Sequence, residues 1–260
     1  MLAFPILIGI VAVFSSAVPR WRENQEPLSR GKQIASPAVH GADEVMAKLV
    51  LAEIVPTVVS RFTPLLSITI RWSKATASLG NTIKPKQLQD EPAVALEPFS
   101  SNGSVVYEQV VLVLTDPDAK SRDNPIWAEF CHWIAYWPPH VSETTSKPIF
   151  RSRLDVSPSR SSSLPPGQVQ VDEEDQDPSQ KQDVVPYKPP SPPEKTWKHR
   201  YVFLALTPRN GTVERLNLTV PNGRQRWGNG KARTGVRQWA EENGLAVVGA
   251  NFLYSEHKKQ

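Results

Sequence analysis

The chain has 260 residues, 39% of them hydrophobic, with one cysteine, 25 prolines and a formal net charge of +4. That is enough apolar sequence for one substantial domain with a buried core, and too little for two large ones. A single cysteine excludes an internal disulfide framework, so packing must hold the fold.

The chain opens with the apolar block MLAFPILIGIVAVFSSA, residues 1–17, which closes on Ser15-Ser16-Ala17 as a signal-peptidase site requires. The block is too short for a permanent membrane span, so it predicts a secreted protein. Glycosylation triplets begin at Asn102, Asn210 and Asn217. Asn217 falls in strand-like sequence, which predicts a less accessible acceptor there. Cys131 lies within WAEFCHWIAYW, an aromatic run that predicts a buried thiol rather than an intermolecular bridge. Positive charge collects late in the chain, with twelve Lys/Arg against four Asp/Glu over 195–260, while DEEDQD at 172–177 is acidic. Such a surface attracts phosphate groups. Without a stacking motif or basic recognition helix, it does not predict nucleic-acid binding.

Residues 18–41 are polar and predict a flexible lead-in to one domain over 42–257, with 258–260 as a tail. From Ala42 to Val59 the positions Val45, Met46, Leu49, Val50 and Ile54 recur at helical intervals, in a stripe that Pro56 limits. LLSITIRW at 65–72 shifts to strand period. A turn and a proline-limited loop at 79–92 precede a strand around Ala93–Leu96. VVYEQVVLVLT at 105–115 predicts a strand buried on both faces, and FCHWIAYW at 130–137 another, stopped by Pro138 and Pro139. Ser, Pro and acids dominate from about Ser142 to Pro190, predicting a long irregular insertion. HRYVFLAL at 199–206 and TVERLNLTV at 212–220 return to strand character, and ARTGVRQWAEENGL at 232–245 predicts a short helix closed near Gly244. The pattern is that of a mainly β domain with peripheral helices, not an alternating α/β fold.

Asp116-Pro117-Asp118 follows the buried strand directly. Extended geometry would point both carboxylates to one side, whereas a tight turn would separate them. With Glu129 and His132 the pair offers donors for a metal or an acid–base role, but the spacing matches no strong metal signature. A turn or binding role uses the same carboxylates. Under strand period Phe130, His132, Ile134 and Tyr136 share a face, and His199 and Tyr201 share one opposite Arg200. Two imidazoles and a phenol can surround a small anion. A serine or cysteine nucleophile and a phosphate or dinucleotide cofactor have less support: there is no G-x-S-x-G elbow and no phosphate-loop or dinucleotide glycine pattern, and Cys131 and His132 are strand neighbours facing opposite ways.

LVLTDPDAKSRDNPIWAEFCHW resembles the first signature of the phosphatidylethanolamine-binding (Raf-kinase-inhibitor-like) family, and PPEKTWKHRYVFLAL resembles the segment ending in its His-Arg-Tyr. IVPTVVSRFTPLLSITIRW and LGNTIKPKQLQDEP are similar to the opening of fungal-type members related to the carboxypeptidase Y inhibitor, and GLAVVGANFLYSEH resembles the family's late Asn-Phe segment. The resemblance implies a large central β-sheet packed with a smaller sheet and peripheral helices. It implies a non-enzymatic binder with a small pocket for phosphate-containing molecules or lipid headgroups, or an inhibitor of a serine carboxypeptidase. By the same resemblance Asp116, His132, Pro193, His199 and Tyr201 line the pocket, while Asp118 and Arg200 support it. Three positions depart from the family pattern: Lys120 stands at a usual proline, Cys131 at a usual histidine and Ser191 at a usual glycine.

Overall fold

The computed structural model describes residues 41–99, 107–139 and 181–260. The 1–17 block, nearly all of 18–41, Asn102 and residues 142–180 of the expected insertion lie outside the described residues. The elements run α1 (Ala42–Leu51), β1 (Leu66–Trp72), β2 (Ala75–Thr76), β3 (Asn81–Thr82), β4 (Ala93–Pro98), β5 (Val110–Asp116), β6 (Phe130–Trp137), β7 (Gln182–Val185), β8 (His199–Pro208), α2 (Val236–Glu242) and β9 (Leu245–Ser255). The strands form a hydrogen-bonded path β2-β1-β9-β8-β5-β6-β7, with β4 paired to β1 and β3 to β9.

The centre of this sheet is buried on both faces, as the unbroken apolar run of β5 requires. Val111 and Val113 of β5 join Val202, Leu204 and Leu206 of β8 in a core beneath α1 and α2. The alternate residues Val110, Leu112 and Leu114, with Tyr201, Phe203 and Ala205, pack against β1 and β4 on the other side. The arm of β4, β1 and β2 therefore plays the part of the smaller sheet. It reaches the main sheet through one parallel pairing, Leu66 with Gly249, where a Cβ on Gly249 would meet the Leu66 carbonyl at 2.6 Å. The α1 stripe buries Val45, Met46 and Leu49, but the helix stops at Leu51 and leaves Val50 exposed.

Two expectations need correction. Residues 181–190 are ordered: β7 pairs with the outer edge of β6, Trp133 Nε1 donates to Asp183 (2.9 Å) and the Tyr187 hydroxyl donates to the Leu88 carbonyl (2.8 Å). A strand edge and two aromatic anchors order a segment whose own composition cannot. Residues 212–220 form no strand, because side chains meet their backbone instead of a ladder. Gln109 Nε2 donates to the carbonyls of Thr212 and Glu214, the Leu216 N–H donates to Tyr136 Oη, and Trp239 Nε1 donates to the Thr219 carbonyl. Asn217 is accordingly exposed between the half-buried Leu216 and Leu218.

β9 is the longest strand, and sequence period did not single it out. Its buried Asn251 joins three elements: Nδ2 donates to the Ile68 carbonyl (2.7 Å), and Oδ1 accepts from the N–H groups of Leu79 (3.0 Å) and Phe252 (2.7 Å). Asn251→Ala strands buried backbone groups on β1 and the 77–79 turn, and is expected to cost about 2–3 kcal/mol. A urea-denaturation midpoint unchanged from the parent would refute that role.

Candidate functional site

β5 delivers Asp116 to the end of the sheet, and Pro117, which has no N–H, ends the ladder there. Asp116 Oδ1 accepts the Asp118 N–H at 2.7 Å, closing a tight turn. The turn separates the two carboxylates. Asp116 Oδ2 faces His199 Nδ1 at 2.9 Å. Asp118 grips Arg200 from the other face of β8, its Oδ2 accepting from Nε (2.9 Å) and the backbone N–H (2.8 Å), and its Oδ1 from Nη2 (2.6 Å). Arg200 Nη1 in turn donates to the carbonyls of Ala52 and Glu53, just beyond α1.

His199 spends both ring nitrogens inside the protein. Nε2 lies 3.0 Å from Thr196 Oγ1, whose hydroxyl donates to the Pro193 carbonyl at 2.8 Å. His199 is thus a positioning residue rather than a free donor. Pro193 is exposed and contributes this carbonyl, while the neighbouring Pro192 is the buried proline. Thr196 was missed at the sequence level, although its place three residues before His199 was visible.

His132 departs from the expected face. The β5–β6 register runs from Leu114 opposite Trp133 to Thr115 opposite Cys131, which leaves His132 as the extra residue of a bulge. Ile134 and Tyr136 join the helix-side core. His132 instead packs edge-on to Tyr201 (5.3 Å between centroids), which lies in the opposite core and stacks with His199 at 6.3 Å. Phe130 closes over His132 at 4.9 Å. The bulge is what brings His132 to the Tyr201, His199 and Asp116 already gathered by β8 and β5.

The cluster is tightly enclosed: exposure is 5% for His132, 3% for Asp116 and 1% for each of His199 and Tyr201. Burial pushes His132 down to about 4, against the pull of the Asp116 charge. Its ring is therefore neutral at pH 7. Because Nδ1 donates to the Lys188 carbonyl (2.7 Å), Nε2 carries the lone pair. Nε2 has no partner among the described residues. Burial, then the Asp116 charge, raises Tyr201 well above the usual phenol range, so it keeps its proton.

Beside this cluster Glu129 is equally buried. Burial raises it to about 8, despite hydrogen bonds from Thr115 and the Val236 backbone. Trp227 Nε1 donates to Thr115 Oγ1 (3.1 Å), which meets Glu129 Oε2 at 3.1 Å. Gly235 makes room for this carboxyl, since a Cβ there would lie 2.7 Å from Glu129 Cβ. Among the described residues no group of three or more His, Cys, Asp and Glu side chains could hold a metal ion. Cys131 is buried, and desolvation pushes its thiol up to about 12, which leaves it inert as a nucleophile.

The model of the phosphatidylethanolamine-binding protein family matches residues 72–253, spanning the Asp116 turn, the His132 bulge and the β8 wall. The chain belongs to that family. It is 28% identical over 202 residues to the carboxypeptidase Y inhibitor of Saccharomyces cerevisiae, covering 72% of this chain and 81% of the relative. The Arabidopsis thaliana protein FLOWERING LOCUS T is 26% identical over 97 residues, 37% of this chain and 53% of its own length. In fold the chain is similar to a carboxypeptidase Y inhibitor solved with its cognate proteinase (TM-score 0.63, 23% identity, 84% of this chain and 97% of that one). It is also similar to the phosphatidylethanolamine-binding protein of Plasmodium vivax (TM-score 0.57, 18% identity, 82% and 97%). Among the described residues no helix is long and apolar enough to cross a membrane.

Proposed function

We propose that this family member is a secreted, non-catalytic binding protein that takes a phosphate-type headgroup against His132 and Tyr201. One observation carries the reading: the β6 bulge turns His132 onto Tyr201, so that an Nε2 with no partner among the described residues stands beside a protonated phenol. A neutral imidazole already donating through Nδ1 can only accept at Nε2. The ligand therefore arrives with a P–O–H that donates to Nε2, or the ring gains a proton as the anion binds. Near neutral pH, where a phosphate monoester is close to its second pKa, either route takes up protons.

Titration of the purified protein with phosphoethanolamine at pH 7, in two buffers of different ionisation enthalpy, is expected to show saturable binding with net proton uptake. His132→Gln is expected to weaken that binding at least tenfold with an unchanged far-UV circular dichroism spectrum. Binding that is absent from the parent, or unaltered in the variant, would remove the reading. The exposed Asn210 and Asn217 are proposed glycan acceptors, to be checked by the mass shift on enzymatic deglycosylation of secreted material.

A second reading, inhibition of a serine carboxypeptidase through a protein surface, is favoured by the reach of one likeness. The yeast inhibitor matches over 81% of its length, against 53% for the plant relative. Carboxypeptidase Y activity on a peptide substrate is expected to fall with added protein. Unchanged velocity at large molar excess would exclude that enzyme as the target.

A further inference from the structure

Phe130, which packs on His132, also lines an open cavity of about 590 Å³ together with Asn222, Gly223, Arg224, Gln225, Arg226, Gly228 and Gly230. Its volume falls in the range of ligand sites. The wall is built rather than loose. Arg224 donates to the carbonyls of Cys131, His132 and Pro186, and Arg226 to those of Ile126 and Gly230. Gly228 presses onto the Asn222 backbone, where a Cβ would come within 2.6 Å. The loop holds left-handed backbone at Gly223, Arg226, Trp227, Gly228 and Gly230. Non-glycine residues in that region cost of order 1–3 kcal/mol each, and such strain concentrates at binding sites.

Chemistry narrows the occupant. Residues 222–233 carry Arg224, Arg226, Lys231 and Arg233 and no acid. The two carboxamides and the backbone exposed at three glycines offer donors and acceptors matched to peptide bonds, and Phe130 supplies one aromatic face. A lipid chain would need more apolar wall than a single ring, and a nucleic-acid strand would need successive stacking platforms. We propose that this groove binds an acidic peptide segment of a partner protein, its backbone along the 222–230 loop and its carboxylates on the guanidinium side. The proposal requires neither an anion at His132 nor inhibition of a peptidase.

The test uses the full chain and a fluorescein-labelled peptide of repeating Glu-Gly-Phe, with a Lys-Gly-Phe counterpart, read by fluorescence anisotropy. Saturable, salt-sensitive binding of the acidic peptide alone is expected. Gln225 is exposed, so Gln225→Glu places a repelling charge in the groove at little cost to the fold, and is expected to weaken binding at least tenfold. Gln225→Lys is expected to strengthen it. Equal binding of both peptides, no saturable binding, or an acidic-peptide affinity unmoved by Gln225→Glu at unchanged thermal midpoint overturns the proposal. The last result would place the peptide elsewhere on a basic surface.

Discussion

Asp118→Ala is expected to destabilise the protein by about 3–5 kcal/mol, because it leaves the Arg200 guanidinium buried without its counter-charge. That is a large share of the roughly 5–15 kcal/mol that holds a domain of this kind together. The loss is not local. Arg200 Nη1 holds the carbonyls of Ala52 and Glu53, so the same side chain ties the end of α1 to β8. Arg200→Lys keeps a charge for Asp118 but loses the fork that reaches both oxygens and the α1 carbonyls together, so it is expected to fall between parent and Asp118→Ala. The double change Asp118→Leu with Arg200→Met removes both charges, and is expected to recover more than half of the single-variant loss. Urea denaturation of the four proteins tests this order. A double variant no more stable than Asp118→Ala alone would show that the pair is not what the fold depends on.

The parts of the fold legible in the sequence are those where local pattern and burial agree. β5 reads as a two-sided strand because seven successive residues are buried, and His199, Arg200 and Tyr201 alternate faces of β8 as period two requires. What was not legible depends on partners distant in sequence. β7 exists because β6 offers an edge and because Trp133 and Leu88 receive Asp183 and Tyr187. The 212–220 segment has strand composition but spends its backbone groups on Gln109, Tyr136, Trp239 and Asn243. The site shows the same division. Asp116, His132, His199 and Tyr201 come together, but the contacts they make were not legible in their residue types. A bulge that no period announces turns His132 toward Tyr201, and Thr196 removes His199 from the free donors.

The stability profile with pH is set in opposite senses by two buried groups a few residues apart. Glu129 holds its proton up to about 8 in the folded protein against an ordinary 4.5, so between those values the unfolded chain has lost a proton that the folded one keeps. Stability therefore falls as pH rises through that window, by about 1.4 kcal/mol per pH unit. His132 runs the other way. Folded it titrates near 4 against an ordinary 6.5, so between those values the unfolded chain binds a proton that the folded one refuses, and stability rises with pH. The two slopes cancel from 4.5 to 6.5. Above 6.5 only Glu129 acts, and its contribution drops by about 2 kcal/mol by pH 8. Glu129→Gln keeps the shape of the side chain without its titration. Relative to the parent it is expected to remove the fall above pH 6.5 and to uncover the His132 rise between 4 and 6.5. Denaturation midpoints measured from pH 4 to 8.5 decide the matter. A Glu129→Gln profile parallel to the parent above pH 6.5 would mean that the buried carboxyl is already ionised in the folded protein. The Trp227–Thr115–Glu129 chain beside the bulge would then carry a charge next to the His132 wall rather than a neutral acid.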